Sequence, residues 1–558
     1  MIQEGANNNV VSNQITELIK KNNYKLISDK IIRILKDIKN DQNISSKRWV
    51  WELMQNATDV RYDNERISVQ IILDENLLVF KHNGKYFKIN HILGLLQQVS
   101  SKDSQNLEGQ TGKFGTGFIG THLLSDVIDV KGILYLKDND FREFKVSLDR
   151  SEQKSEILAK KIEKSIEMFY KMDEQKDNFM PKPNYLENRK ETDYDTSFTY
   201  HLTDDDKKES AKEGLRDLIN TLPTTLITQN KKIKKVTIID NIEHKETIYT
   251  HSFDINEKIN DITESSVKII TKQNGKEIIE EKQFLSYLKV EENKEILRLI
   301  TEVKMKDGII YLLKREPTMP VLYRNFPLIG SNEFHLPFIV DGFDFNPLES
   351  RSGLFLNGFK NESNKDSKEN IKILKIAYNT FIEFIKGIIE KYEYFGLINR
   401  YILASSKMPK PIVSFDKNAE SWFLERQKIF RQNLREIRLV KHYEYSKFSE
   451  LLLPIFDDHY NNEFHSIVSQ LNINKKIIPE KGTEYEKWYD IIIKENNDIS
   501  GLSIKDNSFI KSWGENVNNE TGEKEINYIY NLQNLLQDLV KCKNINNLCK
   551  KLEKKNLK

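Results

Sequence analysis

Two stretches hold the residues best able to do chemistry. In WELMQNATD, residues 51–59, Glu52, Asn56 and Asp59 follow one another at spacings of four and three. On a helix those spacings bring all three to one face. A carboxylate there can orient and deprotonate a water. An amide oxygen is a hard ligand suited to Mg²⁺, which keeps several waters and bridges phosphates. Alone, the pattern also fits a helix with a few polar residues. The second stretch, GQTGKFGTGFIG at 109–120, holds five of the chain's 22 glycines. Gly112, Gly115 and Gly117 make a G-x-x-G-x-G pattern that runs into the apolar segment FIGTHLLS. Such a run lets backbone approach phosphates, and a helix start adds free N–H groups and a positive dipole end. A hinge without ligand is the plainer alternative. A dinucleotide-binding loop needs a strand directly before it, whereas a helix and a polar loop precede this one, and GKFGTG lacks the G-K-[ST] ending of a Walker loop.

The elements around these stretches follow from periodicity. Residues 14–38 and SSKRWVWELMQNATDV space their apolar residues as helices do, the second with a serine start signal. RISVQIILDENLLVFKHNG reads as two strands with a tight turn at Asp74 to Asn76, and INHILGLLQQVS as a short helix before the glycines. Strands return at 126–148 and at DTSFTYHL (195–202), with a charged helical insertion between 150 and 190. The expected fold class is α+β in three regions: a first α/β unit over 1–205, a second over 206–360, and a mainly helical stretch over 361–558. The second opens with a helix, ESAKEGLRDLINTLPTTLI, and continues with strands KVTIID, ETIYTHSF and IIYLLKR. The polar run NESNKDSKEN at 361–370 marks the second boundary. LTDDDKKE reads as a polar loop or a helix start rather than a metal site, and DDHYNNEFH, with His459 and His465 six apart, makes a poor metal site.

Composition narrows the classes. The 558 residues are too many for one core. Charged residues make up 30% and the formal net charge is +2, so no electrostatic footprint for nucleic acid stands out. No run approaches a membrane span, and the N-terminus lacks the basic and apolar regions of a signal peptide. The only cysteines, Cys542 and Cys549, are too few for a zinc site and fit a reducing cytoplasm. The tail from Lys541 to Lys558 carries seven Lys against one Glu and reads as a solvated end.

Taken together and in order, these residues resemble the GHKL superfamily and its Bergerat ATP-binding fold. That group includes gyrase-type topoisomerases, ninety-kilodalton heat-shock chaperones, MutL and MORC proteins and histidine kinases. ELMQNATD is similar to the family's N-box. By that resemblance Glu52 is the general base, Asn56 the Mg²⁺ ligand and Asp59 a neighbouring polar contact. GKFGTGF is similar to the third glycine motif and SSKDSQNLEGQT to the lid. Ser101, Lys102, Lys113, Thr116 and the N–H groups from Phe114 to Phe118 would then approach the phosphates. Thr196 matches the family's threonine beside the adenine. The second motif departs from the family. Where the family has D-x-G-x-G, with Asp accepting from the adenine amino group, this chain reads KHNGKYF. Gly84 stands, His82 takes the Asp position and Tyr86 the second Gly. A neutral His82 can accept one hydrogen bond, or Asn83 can serve instead.

This variant looks most like the sacsin-type branch. The segment FPLIGSNEFHLPFIVDGFDFNPLESRSGLFL is similar to the branch's segment that delivers an arginine after an outer strand, here Arg351. A guanidinium fixed near the γ-phosphate would stabilise developing charge. Lys314, Arg315 and Arg324 are weaker candidates for that task, and a surface salt bridge is the plain alternative for Arg351. The resemblance implies an ATP- and Mg²⁺-dependent ATPase whose lid closure rearranges its second, transducer-like and third regions, with a protein client or partner at the C-terminal region and a nucleotide-dependent homodimer. It also implies a place in bacterial antiviral defence or quality control. The alternatives are a DNA-processing ATPase of the MutL or topoisomerase kind and a non-hydrolysing nucleotide-binding scaffold. With no histidine before residue 82, the usual upstream phosphoacceptor of a histidine kinase is missing.

Overall fold

A computed structural model describes residues 2–40, 42–97, 117–251, 258–348, 351, 353–356, 365–394, 396–409, 417–434, 436–441, 445–447 and Lys487. The chain opens with α1 (Ile2–Asn40) and α2 (Gln42–Asp59), followed by the hairpin β1 (Ile67–Leu73) and β2 (Leu77–His82) and the helix α3 (Ile89–Gln97). A 3₁₀ turn, Gly117–Leu123, leads into β3 (Val127–Tyr135), β4 (Phe141–Asp149), α4 (Ser155–Tyr170), β5 (Phe179–Pro181), α5 (Tyr185–Asn188) and β6 (Thr196–His201). Next come α6 (Asp205–Thr228), β7 (Ile233–Asp240), β8 (Lys245–His251), β9 (Ile262–Gln273), β10 (Lys276–Glu291), β11 (Lys294–Lys306) and β12 (Ile309–Leu312). The short strands β13 (Leu322–Arg324), β14 (Phe326–Pro327) and β15 (Ile339–Gly342) precede α7 (Lys365–Tyr392), β16 (Leu397–Ile398), α8 (Lys417–Leu434), β17 (Arg438–Lys441) and β18 (Tyr445–Lys447). Helices and a large mixed sheet make the fold α+β. Among the described residues no helix is long and apolar enough to cross a membrane.

The hairpin turn falls at Asp74–Asn76 as its sequence implies, with Asp74 N–H donating to the Leu77 carbonyl at 2.8 Å. The acidic run after Leu202 is a helix start. Asp204 caps α6 by accepting from Lys207 N–H at 3.0 Å, and Asp205 and Asp206 sit at the positive end of the helix. Helix α2 begins at Gln42, ahead of the serine start signal, and α1 runs further than its 14–38 periodicity implied. Strands β9, β10 and β11 lie outside the sequence reading. The first half of β10, KEIIEEKQ, is exposed and charged, so it lacks the hydrophobic alternation that marks a strand. Its turn, Asn274-Gly275, has both residues at positive φ (51° and 74°), as a two-residue hairpin requires.

One sheet of sixteen strands, counted among the described residues, runs through both halves of the molecule in the order β14-β13-β15-β11-β10-β9-β8-β7-β1-β2-β6-β3-β4-β5, with β12 beside β11 and β16 beside β12. The joint is the parallel pair β1–β7, from Ile67↔Ile233 to Leu73↔Asp240. The sheet thus crosses residue 205 unbroken, with α6 as the connection. Helix α7 starts inside the polar run and packs on the second half of the sheet, with Phe384 4.9 Å from Phe338 and the Tyr287 hydroxyl donating to Glu383 at 3.0 Å. Beyond residue 361 the described residues hold α7 and α8 but also β16, paired parallel with β12, and the hairpin β17–β18.

Helix α2 is clamped on two sides. Its Trp49 indole N–H donates to the Ser210 carbonyl of α6 at 3.2 Å, and Trp51 lies 6.2 Å from Phe326 of β14. The close approach of α6 depends on Gly214, where a Cβ would fall 2.1 Å from Trp49 Nε1. Gly214→Ala should therefore destabilise the fold by about 1–3 kcal/mol through overpacking, read as a lower denaturation midpoint. Behind α2, the Asp217 carboxyl lies buried beside the Trp51 indole. Burial pushes the Asp217 carboxyl up to about 6, against the pull of Lys47, while Glu213 adds to the rise. A raised carboxyl stabilises the folded chain below its ordinary value near 3.8, and that contribution is lost as pH rises through about 6. Asp217→Asn should raise Tm at pH 7.5, by the equivalent of about 1–3 kcal/mol, and the gain should vanish near pH 4.

Candidate functional site

Glu52 is 6% exposed, and three distant segments meet at its carboxylate. Arg48, one turn earlier on α2, donates from Nε to Oε1 at 2.9 Å. Arg351 Nε lies 4.0 Å from the same oxygen. Gly117, the first residue of the 3₁₀ turn, sits so close that a Cβ would fall 1.8 Å from Oε2. That glycine is required by proximity to the carboxylate, a reason separate from phosphate approach. Asn56 follows Glu52 by one turn and is half-buried, and Asp59 closes the helix. Among the described residues no group of three or more His, Cys, Asp or Glu is arranged to hold a metal ion.

Arg351 reaches this point from a tight loop, with Leu348 N–H donating to the Gly353 carbonyl and Pro347 bridged to Leu354. Its backbone is left-handed at φ 53°, a conformation costly for a residue with a side chain. Its Nη1 is buried with no acceptor among the described residues. Burial lowers its pKa, Glu52 opposes that, and the nearby Arg48 and Arg324 add to it. Arg324, at the end of β13, likewise has Nε and Nη1 buried without an acceptor among the described residues. Lys232, just after α6, is half-buried; desolvation lowers its pKa and Asp59 opposes the shift. Arg48 and Arg351 thus meet at Glu52, while Lys232 lies near Asp59 and Asp341, and Arg324 near Asp344 and Asp366. Buried charged donors without acceptors are costly, so the cluster has capacity for an anion.

The strand ends form a second wall. Strands β2 and β6 pair in the register Leu78↔Tyr200, Phe80↔Phe198 and His82↔Thr196, which places His82 and Thr196 side by side on the buried face. The Phe118 ring lies 5.3 Å from Phe198, and His82 lies 6.2 Å from Phe198. His82 Nδ1 accepts the Gly84 N–H at 3.1 Å. At Gly84 a Cβ would fall 2.9 Å from His82 Nδ1 and from Val60, so only glycine lets this strand end pass the end of α2. Burial holds the His82 imidazole neutral, its pKa lowered to about 3.

Sequence and structure differ over particular residues. Asn83 is held inside the protein by its amide. Oδ1 accepts Ser68 N–H at 2.7 Å and Nδ2 donates to the Glu191 carbonyl at 2.7 Å. The His82 nitrogen expected to accept from a base already accepts from Gly84. Tyr86 packs 5.3 Å from Tyr135 and 5.2 Å from Phe141, in a small apolar cluster of its own. Lys314 is exposed, and Arg315 is half-buried with Nη2 donating to the Leu336 carbonyl at 2.9 Å. Arg48 and Lys232 lie outside the sequence reading. The spacing of Arg48 one turn before Glu52 was a usable signal, and Lys232 has none. Ser101, Lys102, Gly112, Lys113, Phe114, Gly115 and Thr116 lie outside the described residues, as do His459, His465, Cys542 and Cys549.

The sequence matches no family model and no curated protein. The geometry itself yields one test. Gly117→Ala forces the Glu52 carboxylate to move, and a displacement of about 1 Å in a catalytic group can cost on the order of a hundredfold in rate. Any hydrolytic activity of the site should fall by that order in Gly117→Ala, while thermal unfolding shifts little.

Proposed function

We propose that the chain is a Mg²⁺-dependent nucleoside triphosphate hydrolase of the GHKL type, sacsin-like, with a Bergerat arrangement in its first region. The single observation that carries this is the meeting of Glu52, Arg351 and Gly117, residues that the sequence separates by up to 299 positions. The pairing of His82 with Thr196 supports it from the other wall. In this reading Glu52 takes a proton from the water that attacks the terminal phosphorus, and the diphosphate leaves with the bond electrons. Arg351 donates its unsatisfied Nη1 to the oxygens where charge develops. Asn56 is the protein ligand for Mg²⁺, which when bound neutralises charge on the phosphate oxygens. Arg48 holds Glu52 in an ion pair, so base action requires that pair to loosen.

The test is phosphate release from Mg²⁺-ATP by wild type, Glu52→Gln and Arg351→Ala, with nucleotide binding followed in parallel. Glu52→Gln should lose about 10²–10⁴-fold in kcat and keep its affinity. Arg351→Ala should lose on the order of 10²–10³-fold. Unchanged turnover in Glu52→Gln would remove Glu52 as the base. Binding without turnover in the wild type would favour a nucleotide sensor, in which the Arg48–Glu52 pair stays closed.

A further inference from the structure

Strand β10 has two halves with different neighbours. From Gln283 onward it pairs with β11, and from Lys276 to Tyr287 it pairs with β9. Between Lys276 and Lys282 its second backbone edge therefore has no strand beside it among the described residues. The ladder stops for a local reason: Gln283 Oε1 accepts the Met305 N–H at 2.6 Å, so a side chain spends the donor with which the pairing to β11 would continue. An open edge offers a row of N–H and C=O groups to another strand, and charges along it keep other strands away. This edge mixes the two. Ile278 and Ile279 are 56% and 57% exposed at its middle, flanked by Lys276, Glu277 and Glu280, none of which makes an ion pair among the described residues.

The charge order selects the occupant. Two copies paired antiparallel about a two-fold axis must be centred on one residue, because only then do facing side chains share a face of the sheet. Centring on Lys276, Glu277, Glu280, Glu281 or Lys282 sets a charge against itself. Centring on Ile279 sets Lys276 against Lys282 and Glu277 against Glu281. Centring on Ile278 sets Lys276 against Glu280 on both sides of the axis, Ile278 against Ile278 and Glu277 against Ile279, with no like charges directly opposed. The segment is thus complementary to a second copy of itself in one register.

We propose that the open half of β10 is a dimer interface, pairing antiparallel with the same segment of a second copy about Ile278, so that one sheet continues through both chains. The interface does not rest on the nucleotide reading above. The experiment is sedimentation of the full chain without nucleotide, over a concentration series, for the wild type, Lys276→Glu, Glu280→Lys and the double reversal. The substituted side chains are exposed, so the variants keep the fold. The expected result is a reversible wild-type dimer whose dissociation constant rises about tenfold in either single reversal and returns toward the wild-type value in the double, which restores both ion pairs. A wild type that stays monomeric throughout the series overturns the proposal. So does a dimer that neither single reversal weakens, or a double reversal no tighter than the singles.

Discussion

A buried carboxylate must be matched by cations, and much of this molecule is arranged around that need at Glu52. One cation, Arg48, comes from the same helix; the other, Arg351, comes from a loop 299 residues on. A carboxylate with 6% exposure and no counter-charge would be too costly to keep ionised. The long-range contact is thus more than decoration on two finished units. Stabilising Glu52 in its charged form depends on how the second half is held against α2.

That hold comes from continuity. The parallel pair β1–β7 joins the two halves as one sheet, so the second half is not free to swing as a linked domain would be. Helix α6 leaves β6, packs on α2 through the Gly214–Trp49 contact, and returns as β7. Its C-terminal end is tied by Thr228 and Gln229 to the Asn325 carbonyl, between the strand that ends at Arg324 and the one that packs on Trp51. Movement of the second half therefore reaches the Glu52 helix through packed side chains, and the orphaned donors of Arg324 and Arg351 are where a bound anion would reward such movement.

Much of the first region is legible in the residues. The helix carrying Glu52, the hairpin turn at Asp74–Asn76 and the strand holding Thr196 follow from periodicity and turn chemistry, because each is a local property. The pairing of His82 with Thr196 is a matter of register, which single-sequence patterns do not encode. Arg351 entered by resemblance, and its approach to Glu52 depends on the whole path between them. In the sequence Arg48 and Lys232 look like ordinary surface cations, and Arg324 is a weaker candidate beside Arg351. Burial makes them informative, and burial is a tertiary property. The exposed half of β10 shows the converse, since a strand without a buried face leaves no hydrophobic period to read.

The same distinction governs His82. As a residue type, histidine can donate, accept or carry charge, so the sequence leaves its role open. The backbone N–H of Gly84 closes that choice by occupying one nitrogen, and burial closes the charged option. Gly84 itself is confined to glycine by Val60 at the end of the Glu52 helix. The hydrogen-bonding state of His82 and the placement of the helix that carries Glu52 are therefore set by one local packing contact. A change that relaxes it would loosen both together.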